Sequence, residues 1–409
     1  MRILIVNSRH YYGGGDSNYA FNLAGLLREN GHDVFFFAMH SENNLPDPNS
    51  DLFVSHIDFR ALNQRKSPRA ALQVLERSIY SQEARARFAQ LLDRVNPDII
   101  HLHNIHAHIT PSIVLVTRKR SLPVVWTLHD YKLVCPNSHF LVDQGMKICE
   151  ACRGSRFWYA AVKKCKKGSL LASGMASLEA YVHQFLAIRE NVDAFLCPSN
   201  FLRTKLLENG FNEKKTHHLP LFIPDEKFQF TPKDNGYILF LGKLEPLKGV
   251  YPLLEAARLA ADVPVVLAGN AEEPILSQLD HLPPNVKYVG FQTGEALANL
   301  CGNARAIVLP SLWYENQPLS ILEAFALGKP VIASQLGGMS ELVGNNERGL
   351  LVEPGNSQQL AHALQKMVST GEEITAMKQR AFSYAKQEHS SYEHYKKIIR
   401  VYSDISRTI

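Results

Sequence analysis

Two glutamates, Glu315 and Glu323, stand eight residues apart in "WYENQPLSILEAFALGKPV", residues 313 to 331. The first falls in a loop after the apolar run "AIVLPS". The second lies on the helix encoded by "NQPLSILEAFALGKP", with Pro318 at a tolerated early position and Gly328 near its end. Ionised carboxylates only accept hydrogen bonds, so the pair suits a ligand rich in hydroxyl donors, such as a sugar and a ribose. Between the two, the amides of Leu319 and Ser320 open the helix, where the positive end of the dipole favours an anion.

Two other stretches suit phosphate. "YILFLGKLEPLKGV" ends a strand at Gly242 and sets Lys243 and Lys248 on either side of a proline turn. Two ammonium groups converging there would neutralise a diphosphate. "NSRHYYGGGDSNYAFNLAGLL" follows the first strand, with Gly13, Gly14 and Gly15 before a helix whose cap reads as Asp16 or Ser17. Glycines let backbone amides close on an anion, although this run is neither GxGxxG nor a Walker motif. Each piece has a plain reading too, as a tight turn or a solvated lysine. Their shared position at strand carboxyl ends is what points to chemistry.

The remaining reactive side chains cluster. Cys135, Cys149, Cys152 and Cys165 follow the spacing C-x13-C-x2-C-x12-C, which suits a closed, structural tetrahedral zinc site. Disulfides, free thiols or an iron-sulfur cluster use the same residues. Cys197 and Cys301 stand alone and read as core. "HLHNIHAH" puts His101, His103, His106 and His108 near a strand end, and "PVVWTLHD" ends on His129 and Asp130. Beyond the cysteines, Phe157, Trp158 and Tyr159 precede four lysines, a pattern that suits an anionic membrane surface as well as it suits a solvated basic loop.

These residues need elements to hold them. The chain has 409 residues, more than one core usually serves, which predicts two domains of roughly 150 to 200 residues. With 45% hydrophobic and 20% charged residues it should fold as an ordinary globule, and a net charge of +5 is too small to imply nucleic acid. Apolar runs alternate with helix-length segments in both halves: "RILIV", "DVFFFAM", "DIIHLH", "PVVWTLHD" and "AFLCPS", then "YILFLGKL", "PVVLAG", "VKYVG", "AIVLPS" and "PVIAS". Such runs predict two doubly wound parallel sheets, an α/β architecture with ligands at the strands' carboxyl ends and a site in the cleft between domains. "HHLPLFIPDEKFQFTPKDNG" breaks the pattern and places the hinge near Pro220 to Pro224. The expected division is residues 1–222, with a cysteine-rich insertion at about 131–170 and a returning C-terminal helix at about 390–409, and then residues 223–389. "MRILIVNSRH" reads as a first strand instead of a signal peptide, and no run reaches the ~18 apolar residues of a membrane span, so the expected compartment is the cytoplasm, with room for a peripheral position on the membrane's inner face.

"GKLEPLKG" followed by the E-x7-E pattern "ENQPLSILE", after an N-terminal glycine loop and a "TLHD" strand end, resembles family 4 of the retaining glycosyltransferases, of the bacterial surface-polysaccharide type. The resemblance covers essentially the whole chain. It implies the GT-B arrangement of two Rossmann-like domains, an acceptor domain followed by a donor domain. It gives Glu323 the ribose hydroxyls of a nucleotide sugar, UDP- or GDP-linked, and Glu315 the hydroxyls of the transferred sugar. Lys243, Lys248, Gly14 and Gly15 take the diphosphate, with Asn316, Leu319 and Ser320 completing the donor site. His129 is the active-site histidine, catalytic with Glu315 and Lys248, while Asp130, His103 and His106 face the acceptor, a glycan or lipid-linked glycan. No catalytic metal is expected, and no protein nucleophile either, since in the family the leaving diphosphate assists the incoming hydroxyl on the same face. Two departures stand out: the arginine common in the family is Lys243, and "NQP" replaces a glycine after Glu315. The rivals are a nucleotide-sugar epimerase of the same form and a non-catalytic binding module.

Overall fold

The structure is a computed structural model that describes residues 1–57, 76–142, 147–369 and 371–406. Residues 143–146 of the expected insertion and 407–409 of the expected terminal helix lie outside the described residues. The chain divides into two compact units. The first comprises Met1–Pro198, Arg203–Leu219 and Tyr395–Ile409; the second comprises Ser199–Leu202 and Pro220–His394.

The first unit is built on β1 (Arg2–Val6), β2 (Asp33–Phe37), β3 (Ile99–Leu102), β4 (Val124–Thr127), β7 (Ala194–Cys197) and β8 (Thr216–His218), all parallel in the order β2-β1-β3-β4-β7-β8. Ile3, Leu4, Ile5 and Val6 are fully buried, as are Ile99 and Ile100 beside them. Such continuous apolar strands form because helices cover both faces and leave no side for polar alternation. Between β4 and β7 the chain adds a short antiparallel ribbon, β5 (Leu141–Val142) with β6 (Lys147–Ile148), and the helices Trp158–Val162 and Leu170–Phe185.

The second unit contains β9 (Ile238–Leu241), β10 (Val265–Ala268), β11 (Val286–Tyr288), β12 (Ala306–Leu309), β13 (Val331–Ser334) and β14 (Gly349–Val352), again all parallel. Their order is β11-β10-β9-β12-β13-β14, and Ile238, Phe240, Val265, Leu267 and Val308 meet in one core with Leu253, Leu254 and Leu364 from the covering helices. Both units are therefore doubly wound Rossmann-like sheets, as the alternation of apolar runs predicts.

In such sheets the strand order reverses direction at one point, and the loops leaving the two strands there splay apart to open a crevice. In the first unit the reversal lies between β1 and β3, so the glycine loop and the residues around His103 leave from it. In the second it lies between β9 and β12, so the segments Gly242–Lys248 and Ser311–Glu315 leave from it. His129 and Asp130 instead follow β4, and Glu323 lies on the helix Leu319–Ala326. Among the described residues no helix is long and apolar enough to cross a membrane.

Candidate functional site

In the second unit, β9 leads into a short 3-10 turn, Pro246–Lys248, closed by Gly249 in the left-handed region at φ 75°. A Cβ on Gly249 would stand 1.9 Å from the carbonyl oxygen of Pro310, so only glycine lets this turn press against the end of β12. Leu312 N–H donates to the Leu247 carbonyl at 2.9 Å and fixes the two loops together. Lys248 is thereby delivered to Glu315.

Beyond β12 the chain bends at Leu312 and Trp313, and the side chains of Ser311, Trp313 and Glu315 converge. Glu315 Oε1 accepts from Lys248 Nζ at 2.6 Å, Trp313 Nε1 at 2.8 Å and Ser311 Oγ at 3.0 Å. The Lys248 ammonium also lies 5.2 Å from the centre of the Trp313 ring. Behind this group Gly338 N–H donates to the Glu315 carbonyl at 2.9 Å, and a Cβ on Gly338 would meet the Asn316 carbonyl oxygen at 1.6 Å. The loop is clamped from both sides. A carboxylate offers about four acceptor positions on its two oxygens, so three donors on Oε1 leave Oε2 with capacity for a ligand's hydroxyls.

The other donor-side residues are placed differently. Lys243 is half-exposed and pairs with Glu245 at 3.2 Å and Glu272 at 2.9 Å, hydrogen bonds that raise its ammonium pKa. Each lysine is thus engaged by its own carboxylates in this structure. Glu323, on the helix Leu319–Ala326, is half-exposed and paired with Lys227 at 3.1 Å. Leu319 and Ser320 open that helix behind Pro318, with no side chain capping it. The Asn316 side chain is buried and accepts from Ser199 Oγ at 2.7 Å.

In the first unit the helix Gly15–Glu29 is capped by Gly14, not by Asp16 or Ser17. Asp16 turns away to accept from Asn104 Nδ2 at 2.8 Å, with Arg9 at 3.9 Å, while Ser17 Oγ is buried and accepts from Asn7. Burial would raise the Asp16 carboxyl, but His129, the Asn104 hydrogen bond and Arg9 hold it below its ordinary value. The aspartate that looked like a helix cap is therefore an electrostatic partner of His129.

His129 Nε2 and His103 Nδ1 lie 3.2 Å apart, one donating to the other, with the rings stacked at 5.4 Å and Tyr19 edge-on to His129 at 5.5 Å. Burial lowers the His129 pKa against the pull of Asp16 and Asp130. Burial likewise takes His103 well below the ordinary value, reinforced by His101 and His129. His106 Nε2 faces Asp130 Oδ1 at 3.7 Å and is pushed down to about 3 by burial and then by Lys132. Asp130 is raised by burial, opposed by hydrogen bonding from the Lys132 N–H. The cluster is one of neutral imidazoles at neutral pH, able to donate or accept single protons at fixed atoms. His101 is fully buried between Tyr402 Oη at 2.6 Å and Thr127 Oγ1 at 2.7 Å, which makes it structural. Burial, then His56 and Arg77, lowers His108 to about 4.

The expected zinc site requires correction. All six cysteines are free thiols, and among the described residues no group of three or more His, Cys, Asp or Glu side chains is arranged to hold a metal ion. Cys152 and Cys165 instead pack as small apolar residues with Phe157 and Ala160. Burial, with neighbouring Cys135, Cys165 and Cys149, pushes Cys152 up to about 12, and burial raises Cys135 despite backbone hydrogen bonds. Cys149 is only partly buried.

Sequence reasoning missed Ser311, Trp313, Asp16 and Asn104. The every-second spacing of Ser311, Trp313 and Glu315 was a usable signal. Nothing local marked Asn104, whose partner is 88 residues away.

Two family profiles match the chain. Residues 13–227 match Glycosyltransferase Family 4, and residues 223–384 match Glycosyl transferases group 1. An uncharacterized 42.6 kDa protein in the cps region of Klebsiella pneumoniae is 24% identical over 356 residues, spanning 84% of this chain and 87% of that protein. The O-antigen chain mannosyltransferase B of Escherichia coli is 34% identical over 143 residues, 32% of this chain and 37% of that protein. Among solved structures, Anabaena Alr3699/HepE in complex with UDP and glucose is similar in fold, with a TM-score of 0.66 at 16% identity over 98% of this chain and 99% of that one.

Proposed function

We start from membership, since this chain belongs to glycosyltransferase family 4, and we propose that it transfers a sugar from a UDP- or GDP-linked donor, with retention, to a glycan or lipid-linked glycan acceptor in surface polysaccharide synthesis. The observation that carries the reading is the Lys248–Glu315 pair, with Ser311 and Trp313 around it, at the reversal point of the second sheet. The UDP bound to Alr3699/HepE and the mannosyl transfer named for the Escherichia coli relative support it by analogy. The expected compartment is the cytoplasm.

On this reading Lys248 neutralises charge that develops on the departing diphosphate, and Glu315 Oε2 takes hydroxyls of the sugar. Glu323 takes the ribose hydroxyls, exchanging its exposed bond to Lys227 for them. The amides of Asn316, Leu319 and Ser320 hold phosphate oxygens, and Lys243, Gly14 and Gly15 keep the phosphate role implied by the family. His129, held neutral and oriented by His103, offers one hydrogen bond to the donor sugar. Asp130 and His106 take acceptor hydroxyls. Catalysis is then positioning and electrostatic stabilisation with no protein nucleophile.

The test is thermal unfolding against UDP, GDP, ADP and TDP, alone and as sugar conjugates, followed by NMR of the new linkage with the donor that binds. A ligand at about 100 times its Kd adds roughly 2.7 kcal/mol. A selective shift that disappears in Glu323→Ala, and a product with the donor's anomeric configuration, support the reading. Folded protein that responds to no nucleotide, or an inverted product, overturns it.

A further inference from the structure

The helix Leu170–Phe185 is amphipathic in the wrong direction. It buries Ser173, Ala176, Ser177 and Glu179. It leaves Leu171, Leu178 and Phe185 exposed at 76%, 49% and 89%. Those three recur every seven residues, two helical turns, so they form one stripe. The orientation is pinned from inside: Ser177 Oγ donates to the Phe157 carbonyl at 2.8 Å, and Glu179 pairs with Lys132 at 2.8 Å in a buried ion pair. Rolling the helix to bury its leucines would break both.

The stripe does not stand alone. Tyr181 Oη accepts from the Trp158 N–H at 3.3 Å, which joins it to the helix Trp158–Val162, where Trp158 and Val162 are also exposed. A helix pair whose outward side is Trp, Tyr, Val, Leu and Phe is a surface built to be covered.

Charge identifies the cover. Residues 151–188 hold six basic side chains, Arg153, Arg156, Lys163, Lys164, Lys166 and Lys167, and one acidic one, Glu179, which Lys132 already neutralises. The net of +5 in this stretch equals the net of +5 for the whole chain, so the rest of the protein is balanced. Lys163, Lys164 and Lys167 are exposed. A second copy docked on the same face would bring two such clusters together, whereas an anionic bilayer meets both the charge and the apolar stripe.

We propose that this helix pair docks the protein on the surface of an anionic lipid membrane, with Trp158, Leu171, Leu178 and Phe185 entering the interface and the lysines pairing with headgroups. This goes beyond the proposed transfer reaction, and its test needs neither donor nor acceptor. The full chain is sedimented with phosphatidylglycerol–phosphatidylcholine vesicles and with phosphatidylcholine alone. Binding is expected with the anionic vesicles, about fivefold weaker for each lysine replaced by glutamine, hence about 100-fold weaker for the triple change at Lys163, Lys164 and Lys167. Leu171→Ser with Phe185→Asp should abolish it at every salt concentration while leaving the unfolding midpoint unchanged, since both side chains are largely exposed. Equal binding to neutral vesicles overturns the proposal. So does full binding by both variants, or a wild-type dimer that the Phe185 variant converts to monomer.

Discussion

Glu315 is the residue whose replacement separates structure from chemistry. In Glu315→Gln the amide oxygen still accepts from Ser311 and Trp313, and what is lost is the charge opposite Lys248. A hydrogen bond to a charged group contributes roughly 1.5–3 kcal/mol and a neutral one roughly 0.5–1.5, so the variant should lose about 1 kcal/mol. In Glu315→Ala, Ser311 Oγ, which is buried, and Trp313 Nε1 both lose the oxygen they donate to. At about 1–3 kcal/mol for each, the alanine variant should lose about 2–6 kcal/mol. Since 1 kcal/mol moves the Tm of a unit this size by roughly 2–4 °C, the glutamine variant should melt about 3 °C lower and the alanine variant about 4–24 °C lower. Calorimetry of both variants, with and without nucleotide sugar, is the assay. Both should keep part of the response to bare nucleotide and lose the increment added by the sugar. An alanine variant no less stable than the glutamine variant would refute the three-donor arrangement. An undiminished sugar increment would refute the role of Oε2.

Three further outcomes are expected. Because His103, His106, His108 and His129 all have pKa values lowered in the fold, the unfolded chain binds more protons below about pH 6.5, so stability is level above neutrality and falls as the solution is acidified. Urea midpoints at pH 7.5 and 5.5 should show that fall and a smaller one in His106→Gln; equal midpoints would count against the buried imidazoles. Gly249→Ala, with φ 75° and a Cβ 1.9 Å from the Pro310 carbonyl oxygen, should cost more than ~3 kcal/mol or displace Lys248, and a folded variant with wild-type nucleotide response would contradict that. Tyr402→Phe removes the 2.6 Å bond to buried His101 and should cost about 1–3 kcal/mol, measured by urea unfolding, and no loss would mean water replaces the hydroxyl.

The strands were legible because fully buried parallel strands must be continuous apolar runs, and "RILIV", "YILFLG" and "AIVLPS" could hardly be anything else. The strand orders were not, because adjacency is decided by packing between distant segments. Lys248 and Glu315 were legible as functional types, but their mutual bond depends on Gly249 pressing on Pro310, 61 positions later in sequence. The ion pair of Lys243 with Glu272 was illegible for the same reason, since the two stand far apart in the chain. The cysteine spacing matched a metal site, yet spacing does not carry the placement of four side chains in space, and among the described residues no group is arranged to hold a metal ion. Asp16 fits the composition rule for a helix cap, but Gly14, two residues earlier, took that position and freed the carboxylate for His129.

The bond between His101 and Tyr402 joins residues 301 positions apart. Its consequence appears during synthesis. At ~5–20 residues per second, a ribosome needs about 15–60 s after making His101 before it makes Tyr402. Once Thr216–His218 has been made, the first unit has all its strands but still lacks the segment from Tyr395 onward that belongs to it. The second unit, encoded almost entirely in between, can therefore be complete on the nascent chain before the first one closes.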